Sequence, residues 1–299
     1  MRIREDLELA WGSVKGPVRP ENQDDILVWE PVDEREFRRC GRLLAIADGM
    51  GGLAGGAEAS RTALRAMLAG WLDAIATQAA EAPPDPGACL EAAFARACVA
   101  VARAAAAHPE LAGMGTTLTA VALRGDRVEG VHVGDTRCVL IGPQRLEVLS
   151  ELHVDPAVDH VLTRAVGAGQ DLVDPDRFSA RLAVGESLVL SSDGFWHPVP
   201  DEECQAMLVG GVTEAVHELL RAAQRRDGQD NASLLIARRR AEAEPGAPGR
   251  EVEEVDAALR PWDDAALGIP SAWIRQWPWI LAALGLVLGV LGAWRFGLA

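Results

Sequence analysis

The chain has 299 residues, enough for one large domain or two small ones, and 49% of them are hydrophobic, enough to bury a sizeable core. A formal net charge of −15 argues against nucleic-acid binding, because such a domain repels the phosphate backbone; it fits a solvated surface, or acids gathered to hold cations. Five scattered cysteines (Cys40, Cys89, Cys98, Cys138 and Cys204) show no CxxC or Cys/His spacing, which argues against a disulfide framework and a zinc site.

The first residues, Met1 to Asp6, have no apolar core, so no secretory signal is expected. Residues 1–240 read as one mixed domain. Apolar runs predict strands at Leu43–Ala47, Leu118–Leu123, Val128–Val133, Ser187–Leu190 and Ala232–Ala237. Helices are predicted over Ala57–Thr77 and Ala88–Ala107, separated by the breaker Ala82-Pro83-Pro84-Asp85-Pro86-Gly87. A second helix pair is predicted near Asp201–Val209 and Thr213–Arg225. Strands cluster and helices cluster, which favours antiparallel sheets with covering helices over a doubly wound fold.

Residues 241–276 read as an acidic linker containing Glu244-Pro245-Gly246-Ala247-Pro248-Gly249. Residues 277–294 carry no charge, and at about 1.5 Å per residue they reach roughly 27 Å, close to the ~30 Å hydrocarbon core of a bilayer. Trp273, Trp277, Trp279 and Trp294 sit at the ends of this run, bracketed by Arg275 and Arg295, as interfacial anchors do. A transmembrane helix is the expectation; a buried core helix is the alternative. Gly285 and Gly289 form a small-xxx-small pair suited to a homodimer seam. Residues 295–299 are left as a short tail.

The chemistry is signalled by aspartates at strand ends. Asp48 follows Leu43–Ala47 and precedes Gly49; Asp193 follows Leu188–Ser192 and precedes Gly194; Asp135 follows Val131–Gly134; Asp230 precedes Asn231 and the run Ala232–Ile236. Singly, each reads as a turn. Together on neighbouring strands they converge, repel one another, and call for divalent cations with hard oxygen ligands. Two such ions would share and activate a bridging water and stabilise a phosphoryl group in flight. Arg19, upstream of Asn22-Gln23-Asp24, is placed to grip a phosphate or to be a plain surface arginine. The six histidines form neither HxxxH nor HExxH, Gly51–Gly56 is no P-loop, and no GxSxG elbow occurs.

In order, Arg19-Pro20-Glu21-Asn22-Gln23-Asp24, Asp48-Gly49-Met50-Gly51-Gly52, Gly113-Met114-Gly115-Thr116-Thr117, Val133-Gly134-Asp135-Thr136-Arg137, Leu162–Gly167, Ser191-Ser192-Asp193-Gly194 and Gly228-Gln229-Asp230-Asn231 resemble the motifs of the PPM (protein phosphatase 2C-like) family in its bacterial form. The resemblance spans about residues 9–238. It implies an α+β fold, an αββα four-layer sandwich of two antiparallel sheets flanked by helices; the C-terminal membrane helix expected from residues 277–294 stands apart from the resemblance. It implies that Asp48 bridges two Mn²⁺ or Mg²⁺ ions, that the Gly49 carbonyl binds one, and that Asp193 and Asp230 hold the other. Asp135 would serve a third, weaker site with Asp193, Asp24 would orient metal-bound water, and Arg19 would hold the substrate phosphate. Four features depart from the pattern. Gln23 stands where some members carry a metal-touching glutamate, and Met50 where eukaryotic members carry a histidine. The stretch Leu149–His153 keeps only part of its motif, and the flap segment from His153 to Leu162 is short.

The function expected is hydrolysis of phosphoserine and phosphothreonine on proteins by a metal-bridging water, opposing a Ser/Thr kinase. The partners expected are phosphorylated proteins and a membrane, with no nucleic acid. The location expected is the bacterial inner membrane, single-pass and tail-anchored, with the catalytic domain cytoplasmic. A dedicated phosphoprotein target, and a membrane-held phosphoprotein-binding module with little catalysis, are the rival readings.

Overall fold

The computed structural model describes residues 2–4, 6–78, 83–158, 161–170, 172–226, 229–241 and 250–251. In chain order the strands are β1 (Arg2–Ile3), β2 (Leu7–Val14), β3 (Asp24–Trp29), β4 (Arg42–Met50), β5 (Gly115–Thr116), β6 (Leu118–Arg124), β7 (Arg127–Val133), β8 (Arg137–Gly142), β9 (Arg145–Val148), β10 (Val166–Gly167), β11 (Asp176–Arg181), β12 (Ser187–Ser191), β13 (Ala232–Arg239) and β14 (Arg250–Glu251). The helices are α1 (Glu34–Cys40), α2 (Gly52–Thr77), α3 (Pro86–Ala107), α4 (Asp193–Trp196), α5 (Asp201–Met207) and α6 (Val212–Arg226).

Strands β3, β4, β6, β7 and β11 lie side by side, with β5 and β10 extending the sheet beside the end of β4. The second sheet runs β2-β13-β12-β8-β9, and every pairing in both sheets is antiparallel. The two-residue pairing of β1 with β14 brings part of the expected linker back to the N-terminal residues.

Period-two alternation builds the layers. On β12 and β13, Leu188, Leu190, Leu235 and Ala237 point into the core between the sheets, where they meet Leu44, Ile46 and Val121. The intervening Val189, Leu234 and Ile236 point the other way, onto Val212, Val216 and Leu219 of α6. On the outer face of the first sheet, α2 and α3 pack on each other and on β4 and β7. The order is therefore helices, sheet, sheet, helices.

Local signals set the helix starts. Asp85 accepts from the Gly87 amide at 3.0 Å, ahead of Pro86 in the first turn of α3. Asp33 caps α1 by accepting from Arg35 and Glu36.

Each predicted strand and helix lies within or overlaps an observed element, but two boundaries shift with consequence. Asp48 does not end its strand: β4 continues through Met50, because Gly49 and Met50 pair with Thr116 and Gly115. Asp193 is not in a turn: it opens α4. The expected membrane span 277–294, with Gly285 and Gly289, lies outside the described residues, among which no helix is long and apolar enough to cross a membrane.

Candidate active site

Strand register collects the aspartates. Asp24 and Asp48 are direct cross-strand partners on β3 and β4. In the second sheet Ser191 of β12 pairs with both Arg137 of β8 and Leu234 of β13. Asp193 lies two residues past Ser191, and Asp135 two residues before Arg137. An antiparallel pair carries both to one edge. Asp230 precedes β13 at that same edge.

A polar seam joins the two sheets here. The Ser192 hydroxyl accepts from the Ser233 amide at 2.9 Å, which leaves its proton to donate to Asp24 Oδ2 at 2.7 Å. Ser13 Oγ sits 2.6 Å from both Ser233 Oγ and Asn22 Nδ2. Asn231 accepts from the Gln23 amide at 2.9 Å and donates to the Glu21 carbonyl at 3.3 Å, tying the loop before β3 to the start of β13. Around Asp48, the Thr117 hydroxyl accepts from its amide at 2.9 Å, and its carbonyl accepts from the Thr116 hydroxyl and the Thr117 amide, each at 2.9 Å. Gly49 is required by contact: a Cβ there would lie 2.0 Å from the Gly56 carbonyl oxygen of α2.

The electrostatics follow from packing acids out of water. Burial pushes the Asp24 carboxyl up to about 7, with Asp193 and Asp230 adding to the rise while the Ser233 and Ser192 hydroxyls oppose it. Burial raises Asp48 well above the carboxylate range, reinforced by the charges of Asp24, Asp193, Asp135 and Asp230. Burial also raises Asp193, with Asp230 next, although a hydrogen bond with Asp48 opposes this. Carboxyl groups crowded in this way are relieved by a proton or a cation. Asp24 Oδ1 is buried without a hydrogen-bond partner, although Oδ2 has one.

Arg19 Nη2 pairs with Asp230 Oδ2 at 2.5 Å, and its side chain remains 46% exposed, which leaves further donors for solvent or a ligand. Its loop is held by Lys15 Nζ, which donates to the Arg19 carbonyl at 2.9 Å, and by the Arg19 amide on the Gly16 carbonyl at 3.1 Å.

Arg19, Asp24, Asp48, Gly49, Asp193 and Asp230 thus fall in one region, and the charge of Asp135 reaches Asp48. No group of three acidic, histidine or cysteine side chains closes into a ready-made metal cage among the described residues. Mutual repulsion opposes such closure, and Arg19 engages Asp230 instead. The donor set nonetheless suits a hard divalent cation: carboxyl groups raised by one another's charge, and Asp24 Oδ1 buried without a hydrogen-bond partner.

Sequence reasoning passed over Ser13 and Ser233 and gave no role to Ser192, Thr116, Thr117 and Asn231, which it met only as members of motifs. Their signal was polar residues inside or at the ends of apolar strand runs, all of them buried. The flap was expected as a weak point. Its ends are joined by the bridge between Val154 and Leu162, and Arg164 and His153 both reach Asp176, at 2.7 and 2.9 Å.

Acidic residues from two stacked antiparallel sheets meet at one edge beside Arg19, an arrangement suited to hard divalent cations. The chain matches the family Protein phosphatase 2C over residues 21–234 and belongs to it. It is 32% identical over 258 residues to the serine/threonine protein phosphatase PstP of Mycobacterium tuberculosis, covering 79% of this chain and 46% of PstP, so it spans about half the length of that relative. The serine/threonine phosphatase Stp of Listeria monocytogenes is 28% identical over 244 residues, covering 75% of this chain and 93% of Stp. The crystal structure of the catalytic domain of PstP in complex with two manganese ions superposes with a TM-score of 0.65 at 31% identity, covering 79% of this chain and 99% of that one.

Proposed function

We propose that the chain is a metal-dependent protein phosphatase that hydrolyses phosphoserine and phosphothreonine on proteins. The observation that carries this reading is the set of acids at the joined sheet edges, with Asp24 facing Asp48 across β3 and β4 and bonded to Ser192 of the other sheet. Asp48, the Gly49 carbonyl, Asp193 and Asp230 would hold two Mn²⁺ or Mg²⁺ ions, with Asp135 and Asp193 serving a third, weaker site. The two manganese ions in the PstP structure support that assignment. When bound, such ions lower the pKa of a water and offset the charge of a phosphoryl group.

The chain's own residues do the rest. Arg19 offers the guanidinium donors that Asp230 does not take to a substrate phosphate. Asp24, fixed on one oxygen by Ser192, keeps the other as an acceptor that orients water. Thr116 and Thr117 hold the Asp48 backbone, so its carboxyl faces the cluster without rearrangement.

The full chain with Mn²⁺ should release phosphate from phosphothreonine peptides, and EDTA should stop it; release that is absent, or indifferent to EDTA, would sink the proposal. Asp193→Asn should remove most of the activity, by roughly 10²-fold or more. Near-normal turnover would contradict a ligand role.

The same reading places the enzyme opposite a Ser/Thr kinase at the bacterial inner membrane, tail-anchored by residues 277–294, with the catalytic domain cytoplasmic and pairing through Gly285 and Gly289. The uncharged, tryptophan-flanked run supports the anchor. Recovery of the chain in the soluble fraction after cell lysis, or digestion of the domain by protease added outside intact cells, would refute that placement.

A further inference from the structure

We propose that Trp196 is a positioning residue for Asp135, and that with Arg137 it sets the separation between Asp135 and Asp193. The inference rests on the metal-centred reading of the site.

The register of β8 on β12 brings Asp135 and Asp193 to the same edge but leaves both on loops or helix starts beyond the last ladder pair. What fixes one against the other is α4. Asp193 is its first residue and Trp196 its last. One helical turn returns the indole to the neighbouring chain segment, where Trp196 Nε1 donates to the carbonyl of Asp135 at 3.0 Å. The same short helix therefore presents one acid and grips the backbone of the other.

The indole is itself held. Arg137 lies over its ring, with the guanidinium carbon 5.3 Å from the centroid. Arg137 forks onto Asp201 at the start of α5, with Nη2 to Oδ2 at 2.8 Å and Nη1 to Oδ1 at 3.3 Å. The side chains of this pair are only 14% and 20% exposed, so the fork is sheltered from water. The indole ring also meets the ring of His197, centroid to centroid at 3.9 Å.

The residue before Asp135 is pinned as firmly. Gly134 has a φ of 110° and its amide donates to His153 Nδ1 at 3.0 Å. Its carbonyl accepts from the His153 amide at 2.8 Å and lies 3.1 Å from His132 Nε2. With Gly134 fixed on one side and the Asp135 carbonyl on the other, the direction of the Asp135 side chain has little freedom left. Removing the indole N–H releases one of the two restraints. Outer partners that orient metal-binding groups typically matter ten- to a hundredfold in metal affinity.

The test uses the full chain and two variants. Trp196→Phe keeps an aromatic face for Arg137 but loses the N–H; Arg137→Lys keeps the charge but loses the fork. Mn²⁺ binding is followed by calorimetric titration, and turnover of a phosphothreonine peptide across a Mn²⁺ series. The expected result for Trp196→Phe is a roughly tenfold or greater weakening of the weakest Mn²⁺ site, a matching rise in the Mn²⁺ needed for half-maximal turnover, and an unchanged KM for peptide at saturating metal. Arg137→Lys should move the same quantities in the same direction by less. Should Trp196→Phe fail to fold, Arg137→Lys alone decides the matter. An indole that merely fills space predicts a lower thermal midpoint with wild-type Mn²⁺ binding in both variants, and that result overturns the proposal. A wild-type chain that bound no Mn²⁺ would remove the proposed function, and this inference with it.

Discussion

Asp24 faces Asp48 across a strand pair, and one of its oxygens is buried without a hydrogen-bond partner. Its carboxyl ordinarily titrates at 3.8, and burial lifts it to about 7. A raised folded pKa contributes stability that is fully present below about pH 4 and is lost as the pH rises through 7. His132 acts in the opposite sense: burial holds it near 4, so its contribution is present above 6.5 and lost as the pH falls toward 4. Comparing the wild type with Asp24→Asn isolates the first effect. In EDTA, urea midpoints should favour the asparagine variant above pH 7, and its advantage should shrink steadily toward pH 4. A pH-independent difference would remove the basis for this assignment. The charged members of this set were legible because an aspartate after an apolar run stands out. Ser192 and Ser233 were not, since a serine beside a strand ordinarily means nothing until its partner across the other sheet is known.

Elements meet most tightly where β4 passes α2. A methyl on Gly49 would press on the backbone of Gly56, which cannot swing away. Gly49→Ala should therefore cost about 1–3 kcal/mol in urea unfolding and abolish phosphate release. Gly130→Ala is the contrast. Its Cβ would lie 2.1 Å from Phe178 Cζ, the far end of a side chain that can turn aside. That variant should lose less stability and keep its turnover; equal losses in both would deny β4 and α2 their special closeness. Continuous apolar runs such as Leu43–Ala47 were readable because β4 is buried on both faces. The edge strand β11 was not, because its residues alternate in exposure and carry Asp176, Arg177 and Arg181. Helix α1, seven residues long, was likewise missed despite its Asp33 cap.

At the scale of the whole molecule, acids that repel one another are stabilised by what binds them. Saturating Mn²⁺ should raise the thermal midpoint and EDTA should reverse it, by an amount equivalent to about 2.7 kcal/mol at a hundredfold excess over Kd. The gap should be wider at pH 7.5 than at pH 5.5, because protons compete for the same oxygens. A midpoint indifferent to Mn²⁺ at pH 7.5 would count against a metal centre. Clustering of strands and of helices along the chain revealed the antiparallel class. The pairing of β2 with β13 was hidden, because nothing local in Leu7–Val14 names a partner at the far end of the domain.

That pairing bears on how the protein is made. Strand β2 is an edge strand whose one neighbour in its sheet is β13, and contacts such as Ser13 to Ser233 join residues 220 apart. At about 5–20 residues per second, a ribosome needs on the order of tens of seconds to deliver the partner. Through that interval Leu7, Leu9 and Ala10 have no sheet to join, and Arg19 has no Asp230 to meet. A nascent chain stalled before β13 should be unable to assemble the site, so the acidic cluster cannot come together until synthesis of the domain is almost finished.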